Sequence, residues 1–327
     1  MIGRLEAPGP TPRHGIAAAP ARVIARVIAL LVVLVVAVVV ATVAVTAVAS
    51  RRSAGPAAGV IASVAAPVVE AAAPAPPSAA PSAMARPAVD AARVLAAVAT
   101  AAAGGGGRVT VAVHDADGVP VLAGPDAGTP IYSASLVKLL VVAGLLDRNA
   151  SGALALGAED LALMQSALIT SDDDAMSALW VRHDGARLVA ETAADLGLTG
   201  TAPPAVPGQW GQATTTAADV AVLLASLDDL LDDADAGTML TWLRSTAATA
   251  ADGFDQAFGL LSGSAGAVGA KQGWMCCVDG GRQLHSAGVL ADGRVVVLLG
   301  QFPRATPWAQ ASTALDGAAA AVLAGIG

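Results

Sequence analysis

The segment Pro130-Ile-Tyr-Ser-Ala-Ser-Leu-Val-Lys-Leu-Leu140 contains one of only two lysines in this chain of 327 residues. Lys138 stands three residues after Ser135, and the second lysine, Lys271, opens Lys271-Gln-Gly273. The other sixteen basic residues are arginine. Arginine stays charged, whereas burial or a neighbouring charge can neutralise a lysine and let it act as a base. The two lysines therefore indicate chemistry at both positions, with chance placement in a biased composition as the alternative.

The apolar periodicity around Lys138 predicts a helix over about residues 134–147. A spacing of three puts Ser135 and Lys138 on one face at the start of this helix. The helix N-terminus favours a neutral lysine and a developing anion. A serine hydroxyl is a poor nucleophile until a base takes its proton, and an adjacent neutral amine can do so. A partly exposed helix start with a solvated lysine is the alternative interpretation.

Several segments together resemble class A β-lactamases and penicillin-binding DD-peptidases. Residues 130–140, followed by Leu145-Leu-Asp-Arg148, resemble the nucleophile segment of that family. Leu168-Ile-Thr-Ser-Asp-Asp-Asp-Ala175 resembles its Ser-Asp-Asn segment, and Lys271-Gln-Gly273 resembles its Lys-Thr-Gly segment. Thr214-Thr-Thr216, ahead of a predicted helix, resembles the end of its Ω-loop. The resemblance covers about residues 90–327.

The resemblance implies a role for each matching residue. Ser135 would be the acylated nucleophile, and Lys138 would accept its proton. Ser171 would relay a proton to the leaving nitrogen, with a plain helix cap as the alternative. Lys271 would supply positive potential for a substrate carboxylate, and the backbone N–H groups of Ser135 and Trp274 would form the oxyanion hole. Contact with the substrate is expected from three residues, Asp173, Gln272 and Gly273.

Two substitutions depart from the family's motifs. Asp173 stands in place of asparagine, and a carboxylate cannot donate a hydrogen bond to a substrate carbonyl. Its charge is also expected to raise the pKa of Lys138 and keep that lysine protonated, which would slow acylation. Gln272 replaces a threonine, but its amide can still donate to a carboxylate.

The glutamate with which the β-lactamase Ω-loop activates water for deacylation has no counterpart here. No Asp or Glu occurs between Asp195 and Asp219. Glu191, on the preceding helix, is a candidate replacement, with a solvated surface charge as the alternative. His183 and His285 are candidates for a serine–histidine dyad, although neither lies in a recognisable motif. Slow deacylation is therefore expected.

The pattern of elements predicts an α/β protein of the α+β type. Strands are expected near residues 108–114, 119–123, 268–278, 284–290 and 294–301. Helices are expected near residues 90–103, 134–147, 151–196, 216–231 and 307–326. Strands at both ends with helices between them predict an antiparallel sheet with flanking helices and an all-helical subdomain. The resemblance implies the same β-lactamase/transpeptidase-like fold.

The N-terminal part predicts a membrane anchor. Residues 27–49 form a run of 23 residues without charge, long enough to cross a bilayer. Four arginines against one acid precede it, which predicts a cytoplasmic segment at residues 1–26 and a single-pass protein of the cell membrane. Ala47-Val48-Ala49 leaves a cleaved signal and a secreted protein as the alternative. Residues 50–89 are expected to form a disordered linker to an extracytoplasmic domain, residues 90–327.

The predicted domain is strongly acidic. Residues 90–327 hold 11 of the 18 basic and 24 of the 26 acidic residues, a net charge of −13. Such a surface repels nucleic acid, which excludes DNA and RNA as partners.

The adjacent Cys276 and Cys277 should point to opposite faces of a strand, so a disulfide between them and a zinc site are both disfavoured.

The sequence thus predicts an extracytoplasmic serine hydrolase that forms an acyl-enzyme on β-lactams or on cell-wall peptides of the D-Ala type. No metal or organic cofactor is expected, and the oligomeric state is not predicted. Two alternatives remain open. One is a catalytically impaired protein of the same fold that binds wall fragments or an envelope partner. The other is an esterase on the same scaffold.

Overall fold

The computed structural model describes residues 89–263 and 268–327. The predicted cytoplasmic segment at residues 1–26, the membrane span at residues 27–49 and all but the last residue of the linker at residues 50–89 lie outside the described residues. None of the helices in the described ranges is both long and apolar enough to cross a bilayer. The fold described below is therefore that of the predicted domain at residues 90–327, apart from residues 264–267.

Five antiparallel strands form the main sheet, in the order β2-β1-β7-β6-β5. Their bounds are Arg108–His114 for β1, Pro120–Ala123 for β2, Gly269–Cys276 for β5, Gly281–Val289 for β6 and Val295–Pro303 for β7. A separate pair joins β3, Ile131–Tyr132, to β4, Thr214–Thr215. Strands from both ends of the domain thus share one sheet, and β5 lies at its edge.

The helices cover both faces of this sheet. Their bounds are Ala91–Gly104 for α1, Val137–Ala150 for α2, Ala158–Ile169 for α3, Asp173–Arg182 for α4, Gly185–Asp195 for α5, Ala217–Ala225 for α6, Leu227–Leu230 for α7, Asp233–Arg244 for α8 and Trp308–Ile326 for α9. Helices α1 and α9 pack on each other and on β1 and β7. Helix α6 also packs on β1 and β7, and α2, α3, α4 and α5 pack among themselves in a helical lobe.

Alternate side chains of β7 enter two separate hydrophobic cores. Val297 and Leu299 belong to the core that contains α2 and the helical lobe. Val296 and Leu298 belong to the core beneath α1 and α9. Because side chains alternate across a strand, a continuous apolar run is what a sheet covered on both faces requires. The antiparallel sheet with flanking helices and a helical subdomain is therefore confirmed.

Helix α2 is the central helix of the lobe. Every residue from position 137 to position 146 is buried, including Lys138. A helix that is apolar on all sides is stable only when other elements surround it, and α3, α5 and α7 do so here. Its burial fixes the position of the turn that precedes it, in which Ser135 lies.

Most predicted elements are present, with shifted ends. Asp90 caps α1, its Oδ1 accepting a hydrogen bond from the N–H of Arg93 at 3.1 Å. The helix predicted from residue 134 opens instead with a 3-10 turn, Ala134–Leu136, before α2 begins. The helical stretch predicted over residues 151–196 is three helices, and the one predicted over residues 216–231 divides at Ser226 into α6 and α7.

The prediction for the two cysteines was wrong. Cys276 and Cys277 form a disulfide. The prediction assumed that the strand continues through both residues, but β5 ends at Cys276. The two Cα atoms are 3.1 Å apart.

Candidate active site

Ser135 lies in a tight turn between β3 and α2. The preceding residue, Ala134, has a φ of +46°, a backbone conformation that non-glycine residues rarely adopt. Such positions persist where the surrounding structure imposes them, and they cluster at functional sites. The burial of Leu136 and Val137 imposes it here, because both are almost fully enclosed. The turn directs Ser135 to the rim of a cleft while α2 remains in the core.

Lys138 is fully buried directly behind this turn. Its Nζ donates to the backbone oxygen of Ser171 at 2.6 Å, to Ser171 Oγ at 3.2 Å and to Asp173 Oδ1 at 2.6 Å. Three acceptors match the three N–H groups of an ammonium. Among the described residues, no hydrogen bond joins Lys138 Nζ to Ser135. Lys138 must therefore release one partner before it can accept the proton of Ser135.

Burial has a larger effect on Lys138 than its acidic neighbour has. Burial lowers the pKa of Lys138, and the charge and hydrogen bond of Asp173 raise it without restoring the ordinary value. Asp173 thus raises the pKa of Lys138, as expected, but burial has the larger and opposite effect. The whole side chain of Lys138 is enclosed, whereas 62% of the Asp173 side chain is exposed to water, which screens its charge.

Ser171 lies between the two lysines. Its Oγ is 3.2 Å from Lys138 Nζ and 2.8 Å from Lys271 Nζ. Its φ of +51° is a second rare conformation, located just before the N-terminus of α4. Asp172, not Ser171, caps α4 by accepting from the N–H groups of Asp174 and Ala175. The interpretation of Ser171 as a plain helix cap is therefore wrong, and the serine is free to act between the lysines.

Lys271 lies on β5, and its side chain is also fully buried. Its Nζ donates to Ser171 Oγ and, at 2.7 Å, to the backbone oxygen of Gln272. Burial, followed by the charge of Lys138, lowers the pKa of Lys271 well below its ordinary value, against the opposing charges of Asp173 and Asp252. Lys271 is thus placed to modulate Ser171 from behind and does not present a cation to the cleft.

The edge strand β5 approaches the Ser135 turn at Gly273. A Cβ added to Gly273 would lie 3.3 Å from the backbone oxygen of Ser133 and 3.4 Å from the backbone nitrogen of Leu136. Only glycine allows so close an approach without a shift. Trp274 follows on the same strand and lines the cleft with Ser135. Gly273 therefore allows the backbone of β5, including the predicted oxyanion donor at Trp274, to lie beside the Ser135 turn.

The side chain of Gln272 points away from the cleft. It is completely buried, and its Nε2 donates to the backbone oxygens of Gln256 and Phe258. This arrangement contradicts the prediction that Gln272 contacts the substrate. The physical reason is strand alternation, since Lys271 and Gln272 are neighbours and only one of them can face Ser171. The hydrogen bonds of Gln272 instead link β5 to the backbone at residues 256–258.

A cleft of about 310 Å³ opens beside Ser135. Asp173 lines it, as do the polar Ser177 and Gln209 and the aromatic Trp210 and Trp274. The indole of Trp210 donates to Ser177 Oγ at 3.2 Å, and its ring lies 5.0 Å from Lys138 Nζ. Sequence reasoning missed Trp210 and Ser177. A tryptophan between glycines, Gly208-Gln-Trp-Gly211, in a chain with five tryptophans was the available signal.

A larger cavity, of about 600 Å³, lies elsewhere, beside Tyr132 and Asp279. Neither of the two lysines nor Ser135 or Ser171 lines it. Because catalysis requires a nucleophile and a base within reach of the ligand, the smaller cleft is the better candidate for an active site.

The other candidate bases are engaged elsewhere. Glu191 pairs with Arg148 and Arg187 on the helical lobe. His183 pairs with Asp160 at 3.1 Å. His285 is buried in β6, where its Nε2 contacts the backbone oxygen of Tyr132, and burial lowers its pKa to about 4. None of these groups lines the cleft. Among the described residues that line it, Asp173 is the only one with a carboxylate.

Comparison with known sequences gives a partial match. No profile of a known protein family matches the chain. Proteins from Mycobacterium bovis and Mycobacterium tuberculosis, each named "Putative lipoprotein LppW", are 33% identical over 176 residues. The match covers 52% of this chain and 55% of theirs, so the chain spans about half the length of the curated relatives it matches.

Comparison with solved structures identifies the fold of the described domain. A β-lactamase from Chitinophaga pinensis superimposes with a TM-score of 0.59 at 16% identity, over 71% of this chain and 98% of that one. β-Lactamases from Sphaerobacter thermophilus and Burkholderia phymatum give TM-scores of 0.57 and 0.56 at 19% and 20% identity. They cover 73% and 72% of this chain, and 98% and 100% of their own. The described domain therefore has the same fold as these β-lactamase structures.

Proposed function

We propose that this protein is a serine hydrolase that forms an acyl-enzyme through Ser135. One observation carries the proposal: two buried lysines, both with lowered pKa values, flank Ser171 directly behind the turn that presents Ser135. Burying two lysines side by side lowers stability unless they are neutral or well paired. A site that needs neutral amines as proton acceptors accounts for that arrangement.

The proposed reaction passes through a tetrahedral intermediate to an acyl-serine. Ser135 Oγ attacks the substrate carbonyl carbon while its proton passes to neutral Lys138 Nζ. The backbone N–H groups of Ser135 and Trp274 bind the oxyanion of the tetrahedral intermediate. The bond from carbon to the leaving nitrogen then breaks, and Ser171 gives its proton to that nitrogen. Lys138 returns its proton to Ser171, which leaves an acyl-serine and neutral lysines.

Hydrolysis of the acyl-serine is proposed to be slow. Water needs a base to attack the ester at neutral pH. Residues 196–213 supply no carboxylate, and the cleft carboxylate, Asp173, is engaged with Lys138 through one of its oxygens. Acylation is therefore expected to outpace deacylation.

The proposed substrates are β-lactams or cell-wall peptides of the D-Ala type. The likeness of the fold to structures named β-lactamases supports this class. The proposed location is the extracytoplasmic side of the cell membrane, with residues 27–49 as the anchor. The names of the mycobacterial relatives, which contain the word lipoprotein, support an envelope protein.

A fluorescent penicillin tests the proposal. Incubated with the full-length chain, it is expected to leave a covalent label that survives denaturation, while nitrocefin is turned over slowly. Ser135→Ala should abolish the label. Ser133→Ala is the matched control, since Ser133 lies in the same turn but its hydroxyl donates to the backbone of Ala134. No label after hours at millimolar ligand would overturn the proposal, and rapid nitrocefin hydrolysis would overturn slow deacylation.

A binding protein without turnover is the second candidate. The close contact between Asp173 and Lys138 favours it, because a carboxylate at 2.6 Å stabilises the protonated lysine. The same experiment separates the two candidates. Reversible binding of penicillin without a covalent label would favour the binding protein. An esterase on this scaffold would hydrolyse simple esters through Ser135 without being labelled by penicillin.

A further inference from the structure

The charge that a ligand meets in the cleft is negative. Among the described residues that line the cleft, Asp173 is the one that carries a charge. Its side chain is 62% exposed. Lys138 and Lys271 are completely enclosed behind the cleft wall, so neither can contact a ligand carboxylate directly. The side chain of Gln272, the other predicted donor, is turned away.

We propose that Asp173 makes this site selective for acyl groups whose side chain carries a free ammonium group. The proposal rests on the acyl-enzyme function proposed above and defines its substrate class. A neutral or anionic acyl group would leave the carboxylate without a partner on its cleft side, whereas an ammonium would pair with it.

The contacts of Asp173 leave one oxygen available. Oδ1 accepts from Lys138 Nζ at 2.6 Å. Within the described chain, Oδ2 has no hydrogen bond, although each carboxylate oxygen can accept about two. A second cation can therefore bind Oδ2 without displacing the lysine.

The aromatic wall of the cleft supports cation binding. Trp210 and Trp274 both line the cleft, and each already lies near a lysine, at 5.0 Å from Lys138 and 5.8 Å from Lys271. Indole rings attract cations through their faces, so the two tryptophans favour a bound ammonium beside Asp173. The Nε1 of Trp274 donates to Asp252 at 3.1 Å, which places a second carboxylate behind this wall.

A cation bound to Asp173 would also alter Lys138. Burial lowers the pKa of Lys138 most strongly, while the charges of Asp173, Asp172 and Asp252 raise it. Lys271 is the second buried amine next to Lys138, and Ser171 links the two. A ligand ammonium offsets the charge of Asp173, so the pKa of Lys138 falls and more of it is neutral. The preferred substrate thereby promotes its own acylation.

Two penicillins that differ by one ammonium group provide the test. Ampicillin is benzylpenicillin with an amino group on the acyl side chain, and both carry the same carboxylate. The second-order rate constant for covalent adduct formation on the full-length chain, followed by mass spectrometry, is expected to be about five- to tenfold higher for ampicillin. Asp173→Asn should bring this ratio close to one.

Asp174→Asn is the matched control for charge. Asp174 is the next residue on α4 and is exposed, but it does not line the cleft. Its variant loses the same charge from the same helix turn and should keep the ratio of the parent protein. A ratio of one in the parent protein, or a ratio that both variants lower equally, would overturn the proposed selectivity.

Non-covalent binding separates failure of selectivity from failure of acylation. In Ser135→Ala, tryptophan fluorescence should report tighter binding of phenylglycinamide, which has an ammonium, than of phenylacetamide, which lacks it. Equal binding of the amides together with adduct formation from both penicillins would overturn the selectivity alone. Preference for the ammonium without any adduct would support cation recognition and overturn the acyl-enzyme function. Neither preference nor adduct would overturn both.

Discussion

Lys138 is subject to two opposing influences, and the balance predicts a pH dependence. Burial lowers its pKa, and Asp173 raises it. The neutral form is the base, so acylation falls as the pH drops below this pKa. Asp173→Asn removes an influence that raises the pKa. The acid limb of the acylation rate with benzylpenicillin should therefore move to lower pH in this variant, as measured by adduct formation across a pH series.

The exposed neighbour Asp174 again provides the control for this experiment. Asp174→Asn changes the net charge equally but does not contact Lys138, so its acid limb should stay close to that of the parent protein. An acid limb that stays in place, or moves to higher pH, in Asp173→Asn would contradict the assignment of Lys138 as the titrating base.

Single residues show which parts of the site were predictable. The short motifs singled out Ser135, Lys138, Ser171 and Lys271. The structure brings the side chains of Lys138, Ser171 and Lys271 into contact and places Ser135 in the turn just before α2. The direction of the Gln272 side chain was not found, because it depends on which face of β5 meets the cleft. The net direction of the pKa shift of Lys138 was not predictable, because burial, which the sequence does not reveal directly, outweighs the neighbouring acid.

At the level of elements, the contact between β5 and the Ser135 turn is expected to control the geometry of the proposed oxyanion hole. A methyl group at position 273 would lie 3.3–3.4 Å from the backbone of Ser133 and Leu136, so the strand must move by a few tenths of an ångström. Gly273→Ala is therefore expected to slow penicillin adduct formation by roughly tenfold or more, since misplaced donors lose much of their effect. Its thermal unfolding temperature should change little.

A glycine with free space around it provides the comparison for this variant. Gly128 has no atom within 4 Å of an added Cβ and does not have a positive φ. Gly128→Ala should leave both adduct formation and thermal unfolding near parent values. Unchanged adduct formation in Gly273→Ala would show that β5 does not position the oxyanion donors.

The elements themselves differ in how well sequence predicts them. Strand β7 and helix α9 follow their apolar patterns closely, because packing on both sides of one sheet selects those residues. The Ser135 turn begins as a 3-10 turn instead of an α-helix because the positive φ of Ala134 redirects the chain. No local propensity favours alanine there, so only the tertiary context accounts for the conformation.

Across the whole molecule, the sheet and the helical lobe are joined through two cores that share β7. The cleft lies where the lobe, through α2 and α4, meets the edge strand β5. The order of strands and helices along the chain was enough to predict this division, because strands at both ends must meet in one sheet. The cleft shape was not predictable, since it depends on the loop that carries Trp210.

The stability of the molecule should depend on a carboxylate inside the helical lobe. Asp160, near the start of α3, accepts from Arg182 and His183 at the end of α4, at 2.6 Å and 3.1 Å, and from the N–H of Gly157. Burial alone would raise the pKa of Asp160, but these hydrogen bonds lower it to about 2. A carboxyl whose pKa is lower in the folded protein stabilises the fold above its unfolded pKa, and this contribution disappears as the pH falls through the folded value.

The parent protein is therefore expected to lose about 2 kcal/mol of unfolding free energy from this group between roughly pH 5 and pH 2. Asp160→Asn should be less stable at neutral pH and should lose correspondingly less on acidification, as measured by urea unfolding at several pH values. Asp195→Asn, which removes an exposed carboxylate on α5, should keep the acid dependence of the parent. An equal loss in the parent and in Asp160→Asn would mean that other carboxylates cause the acid sensitivity.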